Sequence, residues 1–122
     1  MALDIDNCSR DYLFGRLLAY AEKIEQTALS ISNVNRPTTS QRLMQRFADR
    51  PSSTWLTIYK QLDPYMKQLR SSRTGFIVSR EKEIDEIVDA FQTNDFTRDT
   101  ALTGEFLMGF HSQRLALRHT NT

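Results

Sequence analysis

Apolar residues in the first quarter of this chain recur every three or four positions. Leu13, Leu17, Tyr20, Ile24, Ala28 and Ile31 step along one helix face, and Phe14, Leu18 and Ala21 widen it. The spacing predicts a helix from Ser9, a residue suited to cap it, to about Ser30, and the broad face predicts a central place in the fold. Asn33 to Thr39 reads as a polar linker broken by Pro37. A short second helix is predicted over Ser40 to Asp49, with Leu43, Met44 and Phe47 inward.

A third helix opens after Pro51, with Ser52 or Ser53 as its cap. It presents Trp55, Ile58, Tyr59, Leu62, Met66 and Leu69 to a core, and Pro64 within this pattern predicts a kink or restart near Asp63. Ser71 to Gly75 reads as a loop. The fourth helix runs from about Ser79 to Phe91, with acids in its first turn that suit the helix dipole and Ile84, Ile87, Val88 and Phe91 as its stripe. Gln92 to Asp99 is a polar connection, and a last helix covers about Thr100 to Arg118. No segment alternates with period two over a useful length. The expected fold is all-α: a compact bundle of about five helices in a single domain over residues 1–122, with 1–8 and 119–122 as flexible ends.

Two glycines sharpen this picture. Gly15 and Gly109 fall inside the first and last predicted helices, where glycine costs about 1 kcal/mol relative to alanine. Close approach of another backbone is the usual physical offset. The first and last helices are therefore expected to pack together.

Composition excludes several classes. With 39% hydrophobic and 25% charged residues in 122, the chain has the balance of an ordinary water-soluble domain able to bury a core. No apolar run approaches the roughly 20 residues that span a bilayer. Asp4 and Asp6, with no early lysine, are wrong for a secretory leader. The single cysteine, Cys8, cannot form an internal disulfide, so a cytoplasmic location fits best.

The net charge of +1 conceals segregation. From Arg36 to Arg73 eight basic residues face two acids, a net of +6; from Thr74 to Asp99 three face seven, a net of −4. Such a chain can hold an anionic ligand on one side and a cationic partner on the other. Arg42, Arg46 and Arg50 recur at four-residue spacing, which on one continuous helix places them about 6 Å apart along one side. Lys60 and Lys67 repeat at seven residues, and Arg70 and Arg73 continue past them. Arginine offers forked donors to phosphate without reading sequence. A hydrated solubilising surface is the plainer alternative.

The remaining chemistry is weaker. Asp4-x-Asp6 resembles the start of a calcium loop, but Ser9 stands where the turn needs glycine and Gly15 where it needs a bidentate acid. Cys8, His111 and His119 do not fall at metal-ligand spacing, and His111 reads as a partly buried or surface histidine. Glu81, Asp85 and Asp89 form a four-residue column. A solvated helix face is its commoner meaning, and a docking surface for a basic partner the most useful functional one. No catalytic constellation, cofactor motif or metal set emerges, so the expectation is a non-enzymatic part that binds and positions. A helix-turn-helix from the second and third helices would spend Trp55, Leu56, Ile58 and Tyr59 on apolar surface, leaving few side chains for base edges.

Two motifs add a resemblance. Tyr12-x-x-Gly15-Arg16-Leu17-x-Ala19-x-x-Glu22-Lys23-Ile24 resembles the start of the C-terminal helical domain of the type I-C CRISPR Cascade large subunit. Gly104-x-Phe106-x-x-Gly109-Phe110-x-x-Gln113-Arg114 resembles the segment that closes it. Arg46-Phe47 through Pro51, then Trp55 to Leu69, is loosely similar to its middle. A separate chain holding only that domain resembles the Cascade small subunit, which in this subtype is implied to arise from an internal start such as Met1. The resemblance implies a non-enzymatic bundle in more than one copy, without cofactor or metal. It would contact the backbone subunits, the large subunit and neighbouring copies of a crRNA-guided complex, and hold the displaced single-stranded non-target DNA. Phosphate contacts are then expected from Arg42, Arg46, Arg50, Lys60, Lys67, Arg70 and Arg73, with Arg114 and Arg118 as weaker candidates. Arg16 and Glu22 are expected to pair with each other or with a neighbouring subunit. The alternatives are an independent helical DNA-binding or regulatory module and, more remotely, a metal-dependent enzyme using the acidic column.

Overall fold

Ser9 begins the first helix as its position predicts. Its Oγ accepts from the Tyr12 N–H at 3.3 Å while donating to Glu105 Oε1 at 2.8 Å, so one cap also ties the two ends of the chain together. The computed structural model of the chain describes residues 2–118. Among the described residues six helices follow one another: α1 (Arg10–Ile31), α2 (Thr39–Arg42), α3 (Met44–Asp49), α4 (Pro51–Ser72), α5 (Thr74–Ala90) and α6 (Glu105–Arg118). No strand occurs among the described residues, so the fold is an all-α bundle.

The broad face of α1 makes it the axis of that bundle. Leu13, Phe14, Leu17, Leu18, Ala21, Ile24 and Ala28 are fully enclosed, against Ile58, Leu62 and Leu69 of α4 and Ile77 and Ile84 of α5. Ile31, placed on the same stripe by spacing, is exposed at the helix end. Phe14 is the hub: its ring lies 5.8 Å from Phe47, 4.8 Å from Phe91 and 5.8 Å from Phe96. These rings bring α1, α3 and the α5–α6 connection to one point, with geometry that adds to simple burial.

The first and last helices do pack at their glycines. A Cβ built on Gly15 would stand 2.1 Å from the Phe106 carbonyl oxygen and 2.7 Å from the Phe110 nitrogen. One built on Gly109 would stand 2.2 Å from the Tyr12 oxygen. Backbone meets backbone at both places, which is the offset that the glycines' cost requires.

Five local expectations are corrected. The short second helix is two, α2 and α3, parted at Leu43 (φ −104°, ψ 12°). A Thr38–Gln41 capping box starts α2, and the break takes up the rotation that lets Phe47 enter the core. Helix α4 runs through Pro64, on its exposed side, without the restart that was one of the two expectations. Neither Ser52 nor Ser53 caps α4: Pro51 occupies its first turn, and the capping carboxylate is Asp99, which accepts from the Ser53 N–H at 3.1 Å and its hydroxyl at 2.7 Å. Helix α5 begins at Thr74, not Ser79, so Gly75 is helical and the acids fall mid-helix; α6 begins later than expected, at Glu105.

The segment before α1, expected as a flexible end, bonds to the bundle: the Asp4 N–H donates to the Tyr12 hydroxyl at 2.9 Å and Asn7 Nδ2 to Glu105 Oε1 at 3.0 Å. The other expected flexible end, residues 119–122, and His119 with it, lies outside the described residues. Buried Arg10 lies 5.5 Å over the Phe14 ring and donates to the carbonyls of Arg98 and Thr100, fastening the long α5–α6 connection.

Candidate nucleic-acid interface

The paired motifs at the two ends of the chain hold each other. Arg16 Nε donates to Gln113 Oε1 at 2.8 Å, and Arg114 Nε meets Glu22 Oε1 at 2.9 Å, both across the α1–α6 contact. Burial pushes the Glu22 carboxyl above its ordinary value, and the charge and hydrogen bond of Arg114 draw it part of the way back. Arg114 also lies 5.3 Å over the Phe110 ring. It thus helps pack α6 against α1 while its side chain stays partly exposed. The expected Arg16–Glu22 pair does not form: each takes a partner on α6 instead.

The basic span divides in the same way. Arg70 is forked onto both oxygens of Glu81 at 2.8 Å each, joining α4 to α5. Lys67 pairs with Asp63 at 3.0 Å, one turn away on the exposed side of α4. Such exposed pairs contribute about 0–1 kcal/mol and exchange readily for another anion. Arg70 is thus committed by geometry, whereas Lys67 is only weakly held.

Arg42, Arg46, Arg50, Lys60 and Arg73 are exposed and form no ion pair with a carboxylate among the described residues. Arg42 reaches only the Thr39 hydroxyl, at 3.0 Å. The predicted arginine row does not sit on one helix: Arg42 ends α2, Arg46 lies in α3, and Arg50 is the joint between α3 and α4. Arg46 and Arg50 remain one turn apart, the Arg50 N–H donating to the Arg46 carbonyl at 2.8 Å. Arg50 also sits close enough to Asp99 to favour its charged form. Partial burial raises the Asp99 pKa, but the Ser53 side chain, the Ser53 and Ser52 amides and then Arg50 outweigh it, leaving the carboxyl below its ordinary value. Arg73 joins α4 and α5, and Arg118 is exposed at the end of α6.

The acidic column behaves as separate side chains. Glu81 is taken by Arg70, while Asp85 and Asp89 are exposed on α5. No group of three His, Cys, Asp or Glu among the described residues is placed to hold a metal ion. Cys8 is exposed, and His111 is exposed with its ring edge-on to Phe110.

Two residues that sequence reasoning passed over matter here. Glu25, fully buried in α1, accepts the Thr39 N–H at 2.9 Å and so sets where α2 leaves the central helix. Arg36, counted only as a charge, donates to the Tyr65 hydroxyl and lies 6.0 Å over its ring. No sequence signal pairs it with Tyr65, 29 residues further on.

No described helix is long and apolar enough to cross a membrane. A comparison with curated proteins finds no match. Residues 1–118 match the family described as CRISPR-associated protein (Cas_Csd1). With nearly its whole length covered by that match, this chain belongs to the Cas_Csd1 family of CRISPR-associated proteins.

Proposed function

We propose that this chain is the non-catalytic small subunit of a cytoplasmic, crRNA-guided type I-C Cascade complex. In it the bundle contacts the backbone subunits, the large subunit and neighbouring copies of itself. Its exposed cations hold the displaced non-target DNA strand once target pairs with guide. The observation that carries the reading is the set of exposed arginines and lysine on α2, α3, α4 and its junctions, left without carboxylate partners in a chain of a CRISPR-associated family.

A displaced strand is of arbitrary sequence, because the guide does the reading by base pairing. What it needs from protein is a line of sequence-tolerant phosphate donors. Arg42, Arg46, Arg50, Lys60 and Arg73 have that chemistry and are available for it. Lys67 becomes available by giving up Asp63, and Arg118 lies apart at the end of α6.

Reversing Arg42, Arg46 and Arg50 to glutamate tests this. All three are exposed, so helicity by circular dichroism stays that of the wild type. Affinity for single-stranded DNA falls, and the log–log salt slope drops by about 2, the loss of about three phosphate contacts on a single strand. Target choice by the assembled complex is unchanged. An unaltered affinity and slope in the folded triple variant would sink the arginine row as the strand contact.

A further inference from the structure

The connection between α1 and α2, residues 32–38, is locked at both ends. Where α1 stops, Asn33 takes a left-handed φ of 56°. Its N–H donates to the Ser30 carbonyl at 3.1 Å and that of Val34 to the Leu29 carbonyl at 2.9 Å, the pair of bonds that closes a helix through a left-handed residue. Where α2 starts, the Thr38 N–H donates to Gln41 Oε1 at 2.9 Å and the Gln41 N–H to Thr38 Oγ1 at 3.2 Å. A segment fixed in this way is a wall rather than a loose loop.

Between these two locks lies an open groove of about 510 Å³, within the range of sites that accept small ligands. Leu29, Val34 and Pro37 supply its apolar surface, and Gln26, Asn35 and Gln41 its amides. The side chains of Gln26 and Asn35 make no hydrogen bond among the described residues. Gln41 has its oxygen committed to the cap, which leaves its Nε2 as a donor. Arg36 also lines the groove, and its guanidinium donates to the Tyr65 hydroxyl and lies over that ring, which limits its freedom.

That combination matches a particular chemistry. A nucleobase has flat apolar faces and an edge of donors and acceptors, and proteins take unpaired bases with apolar or guanidinium planes for the faces and amides for the edge. Gln41 immediately precedes Arg42, the first of the exposed arginines. We propose that this groove seats an unpaired nucleobase of the strand whose phosphates run along Arg42, Arg46 and Arg50. The inference rests on the strand-holding reading above and adds to it a place where the strand is gripped by base as well as by phosphate.

The test separates the two. Binding of a short labelled single-stranded DNA is compared with that of the same strand carrying abasic sites throughout, by fluorescence anisotropy with the 122-residue chain over a series of salt concentrations. Wild type binds the base-bearing strand about fivefold more tightly, the lower end of what one stacked base contributes. Ser30→Phe fills the groove from an exposed position without changing charge; Gln26→Leu removes an amide from an exposed position and stands as the second variant if the phenylalanine disturbs the helix end. Each narrows the base-to-abasic ratio toward one and leaves the salt slope at the wild-type value, whereas the triple arginine variant lowers the slope. A ratio that stays about fivefold in both folded groove variants, with the slope intact, overturns the base seat while leaving the phosphate path standing. Failure of wild type to bind either strand overturns both.

Discussion

Gly15→Ala puts a single methyl group into the backbone-to-backbone contact of α1 and α6. The new Cβ would stand 2.1 Å from the Phe106 carbonyl oxygen and 2.7 Å from the Phe110 nitrogen, where ordinary contact begins near 3.4 Å. Both neighbours are backbone, so no side chain can swing aside, and α1 and α6 must separate by about 1 Å. Overpacking of this kind costs about 1–3 kcal/mol, with a rigid backbone obstacle at the upper end. The better helix propensity of alanine returns about 1 kcal/mol, leaving a net loss of about 2 kcal/mol. At roughly 4 °C per kcal/mol for a domain of this size, the melting temperature falls by about 8 °C. The separation also stretches the Arg16–Gln113 and Glu22–Arg114 bonds, which bridge the same two helices. Gly75→Ala is the matched control with opposite sign: no atom lies within 4 Å of its Cβ, and its φ is not positive. Relieved of glycine's unfolded-state entropy, that variant should gain about 0.5 kcal/mol, or about 2 °C. Thermal melts followed by circular dichroism measure both. Gly15→Ala melting at or above wild type would refute the close-packing argument outright.

Asp99→Ala removes the external cap of α4 and costs about 1 kcal/mol at neutral pH, seen as a lower melting temperature. Because the folded pKa of Asp99 lies below its ordinary value, the stability it contributes is present above the unfolded pKa and is lost as pH falls through the folded one; the gap between wild type and variant closes on acidification. Glu81→Gln releases Arg70 from its fork and deletes a nearby negative charge, so single-stranded DNA binding should strengthen with a steeper salt slope while stability changes by no more than about 1 kcal/mol. Equal or weaker binding by Glu81→Gln in an electrophoretic mobility series would count against Arg70 as a phosphate contact held back by Glu81.

What the sequence made legible was what local chemistry determines. Ser9 caps α1 because a serine before an apolar stripe has few better uses, and the stripe itself identifies the central helix. The two glycines were legible for a different reason: a residue that is costly where it stands implies a neighbour that requires it. That inference reached across 94 residues to the α1–α6 contact, which periodicity alone could not have paired. Gly75 shows its limit. In the first turn of α5 a glycine costs little and faces open space, so its presence marked neither a loop nor a contact. Pro64, on the exposed side of α4, likewise does not end the helix, since a proline removes one backbone bond without forcing a restart.

The candidate interface was legible as a composition and not as a set of available groups. Charge counts put Arg70 beside Arg42 and Arg46 as an equal, with Arg114 as a weaker candidate. The difference lies in partners distant along the chain: Glu81 is 11 residues from Arg70, and Glu22 stands far from Arg114 in sequence, on the first helix rather than the last. A guanidinium already forked onto a carboxylate must lose that pair before it meets a phosphate, whereas an unpaired one loses only water. The same logic explains Asp99, which looks like one more acid in a negative block and in fact closes a helix 46 residues before it. Sequence shows which charges exist, and tertiary structure decides which are spent. The five cations without a carboxylate ion pair among the described residues are for that reason a narrower and more testable set than the basic span that first suggested it.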